Sequence, residues 1–280
     1  MFCTLKEGGN ELKFSIVIPT LGTRSPEFVR LLNSIHEQTY TNLEVIVLSQ
    51  DHHDIVSQDI ETFNESLNIQ HIQLNKKGLS YSRNQAIPYI TGDIVTFSDD
   101  DCWYPQNAFE TVKVAAENHP QTDVVCFQIF DPEQNAYYKN YPGQPIEKLN
   151  MRQVLQRSSI EIFINLNKIN KNELLFNEYF GLGAKYPSGE ENIMLSNLFQ
   201  KGYHLGFFNQ IVVYHAKPSQ QSRLNLKSFM SKGPLFKQIF GAGTGLIMLT
   251  ALFLKKFSHL ERPFPFYFAA IKEMFAYQKQ

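Results

Sequence analysis

The stretch Gly78–Pro105, GLSYSRNQAIPYITGDIVTFSDDDCWYP, decides how the rest of the chain is read. It holds a small-residue turn, an amphipathic segment, a short apolar strand over Ile94–Phe97 and three consecutive carboxylates, Asp99, Asp100 and Asp101. A strand that ends in a carboxylate cluster puts hard oxygen ligands at the edge where an open α/β sheet binds its ligand. Oxygen-only clusters suit Mg2+ or Mn2+, ions that sit on a substrate's phosphates as well as on protein carboxylates. Taken alone the triplet could as well be an acidic turn, because Asp is a common turn residue. The flanking sequence separates the two readings.

Upstream, Phe14–Ile18 (FSIVI) and Leu43–Leu48 (LEVIVL) are apolar, β-branched runs of the kind that form strands buried on both faces. Between them Ser25-Pro26 gives an N-cap and a proline at the first helical position, and Phe28, Leu31, Leu32 and Ile35 follow at helical spacing. A helix over Asp54–Leu67, a strand over Ile69–Leu74 and a helix over Ser80–Ile90 lead into the quoted stretch. A helix over Pro105–Asn118 and a strand over Val124–Phe130 follow it. Alternating strands and helices with short connections imply a mainly parallel, Rossmann-like sheet flanked by helices. In that α/β architecture Thr20, Ser49-Gln50-Asp51 and Asp99–Asp101 converge on one sheet edge, a nucleotide site by geometry. Neither a Walker A sequence nor a Gly-x-Gly-x-x-Gly turn is present, so ordinary NTPase and dinucleotide readings lose their main support.

The second half is less regular. Asp131–Asn150 reads as a polar surface loop, Ser159–Leu166 as a strand, and Tyr203–Phe208 and Ile211–Tyr214 as two closing strands with His215 at the end. Phe180–Gly189 is a Gly- and Pro-containing loop ahead of a helix. Ser188-Gly189-Glu190-Glu191 has the form of a capping box, which would leave Glu191 no chemical task. Glu190 and Glu191 lie about 100° apart on a helix and so do not face one cleft.

Bulk properties fit this reading. The chain has 280 residues, 43% of them hydrophobic, and a formal net charge of −1, so nucleic acid is not expected as a partner. Cys3, Cys102 and Cys126 have no metal-type spacing and fit reduced thiols. The opening MFCTLKEGGNELK has no apolar core of a signal sequence, which gives a cytoplasmic expectation. Near the C-terminus, Ile239–Leu254 runs sixteen residues without a charge between lysines, and Pro263–Ile271 adds an aromatic cluster. That is short of the about 20 apolar residues of a spanning helix. It suits either peripheral contact of residues 235–275 with the inner face of the cell membrane, or a helical hairpin packed on the catalytic domain or in a homodimer.

The ordered set FSIVIPTLGTR, GLSYSRNQAI, TGDIVTFSDDDCWYP and GEENIML resembles the family 2 glycosyltransferases, enzymes of the GT-A fold, over about residues 14–217. The resemblance implies a catalytic domain over 1–217, with a donor half at about 14–130 and an acceptor half at about 131–217. A helical extension over 218–280 would follow. It implies transfer of a sugar, with inversion, from a nucleotide sugar (a UDP-sugar as first expectation) to a saccharide or lipid-linked acceptor. Surface polysaccharide or glycolipid synthesis would be the setting. Mn2+ or Mg2+ would be held by Asp101 and Asp99, completed by His215 as in some relatives. Pro19, Thr20, Ser49, Asp51, Arg83, Asn84, Asp99 and Asp100 would bind the donor, and Glu190 and Trp103 would lie on the acceptor side. Glu191 would be the catalytic base. Ser49 stands where the family has an Asp that contacts the nucleotide base, and Glu191 where it has Asp. The competing readings are a sugar-phosphate nucleotidyltransferase, partly imitated by Leu21–Pro26, and a nucleotide-sugar-binding protein without turnover.

Overall fold

The computed structural model describes residues 11–217 and 225–279; Cys3 and the rest of the N-terminal segment lie outside the described residues. Four β/α units and a fifth strand come first: β1 (Phe14–Thr20), α1 (Ser25–His36), β2 (Leu43–Ser49), α2 (His53–Glu61), β3 (Ile69–Gln73), α3 (Leu79–Ala86), β4 (Ile94–Phe97), α4 (Ala108–Asn118) and β5 (Val124–Asp131). Then come β6 (Ala136–Tyr137), α5 (Met151–Val154), β7 (Ile162–Asn165), α6 (Glu190–Gln200) and β8 (Leu205–Tyr214). Helices α7 (Leu226–Met230), α8 (Lys232–Phe240), α9 (Ala242–Lys256) and α10 (Pro263–Ala276) form a C-terminal unit.

The sheet order is β3-β2-β1-β4-β7-β5-β6, with β8 also paired to β5. Strands β1 to β4 are parallel, as their apolar runs predict, and β7 is inserted antiparallel between β4 and β5. Side chains alternate between two cores. Phe14, Ile16, Ile18, Val45 and Val47 pack with Phe28, Leu31, Leu32 and Phe109 on one face. On the other, Val17, Ile46, Leu48, Val95 and Phe97 meet Met194, Leu195 and Leu198 of α6. Both faces of β1 and β2 are therefore covered, which removes the polar alternation a half-exposed strand would show.

Several local expectations are corrected. The two closing strands are one, β8, because its pairing with β5 absorbs register shifts between Cys126 and Ile129 instead of breaking. Ser25 is the first residue of α1 rather than its cap, and its hydroxyl bonds Asp59 at 2.8 Å. The Ser188 capping box does not form. The N-cap is Gly189, in the left-handed region at φ 107°, and a Cβ there would lie 2.8 Å from Leu235 of α8. The close approach of α8 thus selects glycine and displaces the serine from the cap. The uncharged run Ile239–Leu254 is divided at Gly241 (φ 79°) into α8 and α9, and no described helix is long and apolar enough to cross a membrane.

One buried carboxylate sets the entry to β4. Glu44 accepts from Thr91 N at 2.8 Å, from Thr91 Oγ1 at 2.5 Å, from Gly92 N at 3.1 Å and from Ser15 Oγ, and pairs with Lys13 at 2.5 Å. A Cβ on Gly92 would come within 2.6 Å of Ser15 Oγ, so the turn admits only glycine. Burial works to raise the Glu44 carboxyl, but the bonds from Lys13, Ser15 and Thr91 outweigh it and bring it down to about 2. A depressed folded-state value stabilises fully above the unfolded value of 4.5 and is lost as pH falls toward 2. Glu44→Gln should therefore cost about 2 kcal/mol at neutral pH in urea denaturation. The difference from wild type should narrow as the pH falls below the unfolded value.

Candidate active site

The centre of the site is a guanidinium with no access to solvent. Arg83, on α3, is fully buried, with the rings of Phe97 and Phe176 at 5.9 and 5.3 Å from its Cζ. Its Nη1 donates to Glu190 Oε1 at 3.1 Å, and its Nη2 donates to Asp99 Oδ1 and to Ser159 Oγ, each at 3.1 Å. One cation thus ties the end of β4 to the first residue of α6 and to the turn before β7. The planar fork of arginine serves such divergent acceptors, which a point-like ammonium does not.

The acidic triplet divides its tasks. Asp100 is buried, accepts from Thr20 Oγ1 at 2.7 Å and pairs with Arg24 at 2.8 Å, so it fastens the triplet to the end of β1. Asp101 pairs with Arg24 and faces His215 Nε2 at 3.2 Å. His215 Nδ1 lies 2.6 Å from the Ala216 carbonyl, which only accepts, so Nδ1 carries the proton and Nε2 is turned toward Asp101. Ligand atoms of Asp99, Asp101 and His215 lie within 4.8 Å of one another. Burial raises the Asp101 carboxyl, but His215 and Arg24 more than reverse this and hold it below the usual carboxylate range. Burial lowers the His215 imidazole, and the bond to Asp101 turns the net shift upward.

Trp103 explains why His215 is there. Trp103 N donates to Tyr214 O at 3.0 Å and Tyr214 N to Trp103 O at 2.7 Å, so the segment after the triplet is paired with the end of β8. The Arg30 guanidinium lies 3.7 Å over the indole. The expected acceptor-side tryptophan is thereby engaged in holding the histidine beside the aspartates.

A cavity of about 330 Å³ opens over the triplet, walled by Leu21, Arg24, Gln50, Lys77, Gly78, Leu79, Leu182, Gly183 and His215. Arg83 and Asn84, expected to line the donor site, are not in its wall. Arg83 is held beneath by its three acceptors. Asn84 exchanges two bonds with the Phe176 backbone, at 2.9 and 2.8 Å, and clasps that segment to α3. Pro19 is buried in β1 opposite Leu48, and Thr20 sits under Asp100. Ser49 is fully buried, its hydroxyl between His53 Nδ1 (2.6 Å) and His71 Nε2 (2.8 Å). Asp51 is half-exposed and pairs with Lys77. Arg24, Lys77, Leu182 and Gly183 were missed from sequence. Arg24 alone carried a signal, a cation four residues past a strand end on the edge that holds the carboxylates.

The first turn of α6 presents its two glutamates in different directions. Glu190 is buried on Arg83 instead of facing an acceptor. Glu191 is half-buried, and its carboxyl is pushed up to about 8 by burial and by the neighbouring Glu190, against the opposing pull of Arg83 and Lys232. Lys232 comes from α8, with Nζ 3.5 Å from Ser188 Oγ.

Comparison with known proteins gives the family and the fold. The family model described as Glycosyl transferase family 2 matches residues 15–180, more than half of the chain, and the chain belongs to that family. Glycosyltransferase GlyA of Streptococcus pneumoniae is 24% identical over 229 residues, 78% of this chain and 32% of the relative. The glucosyl-dolichyl phosphate glucuronosyltransferase of Haloferax volcanii is 29% identical over 118 residues, 41% of this chain and 37% of the relative. The chain thus spans about a third of these relatives. Among solved structures, S. aureus TarS 1-349 in complex with UDP-GlcNAc superposes with a TM-score of 0.65 at 17% identity, over 89% of this chain and 74% of that one. The fold is therefore the α/β glycosyltransferase sheet, and Glu191 and His215 lie beyond the segment matched by the family model.

The buried fork yields a direct comparison. Arg83→Lys keeps the charge but cannot serve Glu190, Asp99 and Ser159 together, and should lower stability by about 3 kcal/mol in urea denaturation. Arg24→Ala removes a half-exposed cation and should change stability by less than about 1 kcal/mol.

Proposed function

We propose that the chain, as a member of glycosyl transferase family 2, is an inverting, metal-dependent transferase. It would move a sugar from a nucleotide-sugar donor to a saccharide or lipid-linked acceptor in surface polysaccharide or glycolipid synthesis. The observation that carries this reading is the gathering of Asp99, Asp101 and His215 within 4.8 Å at the edge of a 330 Å³ cavity. Asp101, Asp99 and His215 would hold Mn2+ or Mg2+. Two carboxylates and an imidazole whose second nitrogen is already committed to Ala216 are a suitable donor set, and Arg24 lies against two of the triplet's carboxylates where positive charge is wanted. Such an ion, when bound, neutralises charge on the donor diphosphate as it leaves.

The residues of the chain do the rest. Gln50 and Asp51, at the end of β2, would offer the nucleoside a polar edge, and the UDP-GlcNAc complex of TarS supports a UDP-sugar as the donor. Ser49 is occupied by two histidines, so Asp51 or the backbone of Gln50 would contact the base. Glu191 would take the proton from the acceptor hydroxyl as that oxygen attacks the anomeric carbon. Arg83 and Glu190 act as positioning residues, holding Asp99 and the start of α6 in one geometry.

The C-terminal unit supports a site of action at the inner face of a membrane. Phe264, Phe268 and Phe275 are 58%, 64% and 59% exposed along one stripe of α10, and Phe257 touches Phe264 with ring centroids 5.7 Å apart. Aromatic stripes beside Lys255 and Lys256 suit an anionic lipid interface. Wild-type protein should co-sediment with phosphatidylglycerol vesicles, and Phe264→Asp/Phe268→Asp should stay in the supernatant. A wild-type dimer that this variant turns into a monomer, without vesicle binding, would assign the stripe to a homodimer instead.

Thermal-shift titration with UDP-, GDP-, CMP- and dTDP-sugars should show stabilisation by one nucleotide class that needs Mn2+ and disappears in Asp101→Ala. Glu191→Gln should keep that stabilisation and lose roughly 10³-fold in turnover. Near-normal turnover would remove Glu191 as base, and pyrophosphate release would identify a nucleotidyltransferase. A base must be ionised, and Glu190, Arg83 and Lys232 are the charged groups that act on Glu191. Wild-type kcat/KM should therefore rise with pH until it levels off near the Glu191 value of about 8.

A further inference from the structure

The first turn of α6 stands between two cavities. Glu190 reaches through Arg83 to Asp99 and the cavity over the triplet, while Asn192, two residues on, lines a separate groove of about 630 Å³ between α5, α8 and α9. This volume lies in the range of roughly 300–1,000 Å³ typical of small-molecule sites. Leu155, Leu235, Phe236, Met248 and Leu252 make its walls apolar. Three cations, Arg152, Lys232 and Lys255, also line it, and among the described residues none of them forms an ion pair within 4 Å of a carboxylate. Among the described residues Lys232 is hydrogen-bonded only to the Ser188 hydroxyl, at 3.5 Å, and it lies close enough to Glu191 to act on its charge.

We propose that this groove is the acceptor subsite and that the acceptor is an amphiphile, a long apolar chain joined through phosphate to the sugar that is extended. The inference rests on the reading of Glu191 as the base. Apolar walls account for the chain, and unpaired cations beside them account for the phosphate. A free oligosaccharide would leave both unsatisfied. Position adds to this, because Lys232 links the groove to the turn that carries Glu191. A phosphate held there sets the attached sugar beside the base. The outer end of the groove is equally apt. Ala251 and Lys255 line it from α9, and Ile247 and Leu254 of the same helix are 69% and 67% exposed, so an apolar chain can run from the groove onto that face. The C-terminal helices then do more than attach the protein to a surface; they form one wall of its active site.

The test uses the full chain and farnesyl phosphate as probe, with farnesol and inorganic phosphate as controls, in isothermal titration calorimetry. Farnesyl phosphate should bind saturably and each control at least about tenfold more weakly. Two variants address the two halves of the groove at exposed positions that folding does not need: Arg152→Glu/Lys255→Glu for the cations and Ala251→Trp for the apolar channel. Each should weaken farnesyl phosphate by about tenfold, while stabilisation by the donor nucleotide with Mn2+ stays as in wild type. Absence of farnesyl phosphate binding, equal binding of farnesol or of inorganic phosphate, or unchanged affinity in both variants would overturn the proposal. Donor binding is read on the same preparations, so its loss would count against the transferase reading and not against the groove.

Discussion

The structure depends on how a single buried positive charge is satisfied. Taking a guanidinium out of water costs several kcal/mol, and only good geometry with charged acceptors offsets it. Arg83 meets the requirement by bonding Asp99 and Glu190, 16 and 107 residues away in sequence. An exposed pair such as Lys76 with Glu178 contributes about 0–1 kcal/mol, whereas breaking a buried pair costs about 3–5 kcal/mol. The buried fork therefore governs where the carboxylates lie. It also makes the carboxylate edge at the end of β4 depend on α6, far downstream in sequence.

A second constraint acts from the other side of the triplet. Asp100 is fastened to β1 through Thr20, and the segment after it is paired through Trp103 to the end of β8. His215 follows directly on Tyr214, so backbone pairing rather than side-chain attraction brings the imidazole to Asp101. The register shifts in β8 belong to the same arrangement, because they let one strand run from Leu205 to Tyr214 and still present His215 at the correct edge. Arg83 pairs with Asp99, Arg24 with both Asp100 and Asp101, and His215 with Asp101. A divalent ion held by Asp99 and Asp101 would compete mainly with Arg24 and His215, since Arg83 is also bonded to Glu190 and Ser159.

How much of this the sequence revealed follows from which forces are local. Strands β1, β2 and β4 were legible because burial on both faces writes itself as an apolar run, and the triplet was legible because three adjacent carboxylates need no fold to be seen. The antiparallel placement of β7 was not, as Ile162–Asn165 would read the same in either direction. The family resemblance placed Arg83 at the donor site, whereas its partners, remote in sequence, bury it beneath the cavity. The capping box at Ser188 failed for a similar reason. Its local signal was sound, but the approach of Leu235 from α8 moved the cap to Gly189.

That last displacement shows how the C-terminal helices and the sheet form one object. Phe180, Tyr186 and Ile193 share a core with Leu235, Ile239 and Tyr277, and Glu273 of α10 takes bonds from Tyr186 at 3.0 Å and Lys185 at 2.9 Å. The loop that carries Leu182 and Gly183 over the cavity at the triplet is thus held at its far end by α10, and the first turn of α6 is held by α8. Two segments, one over the cavity and one carrying Glu191, pack against the same appended unit. A helical extension that served only as an attachment could dock anywhere on the sheet. This one docks on the loop and the helix turn that border the cavity and Glu191, so both are packed against the same appended unit.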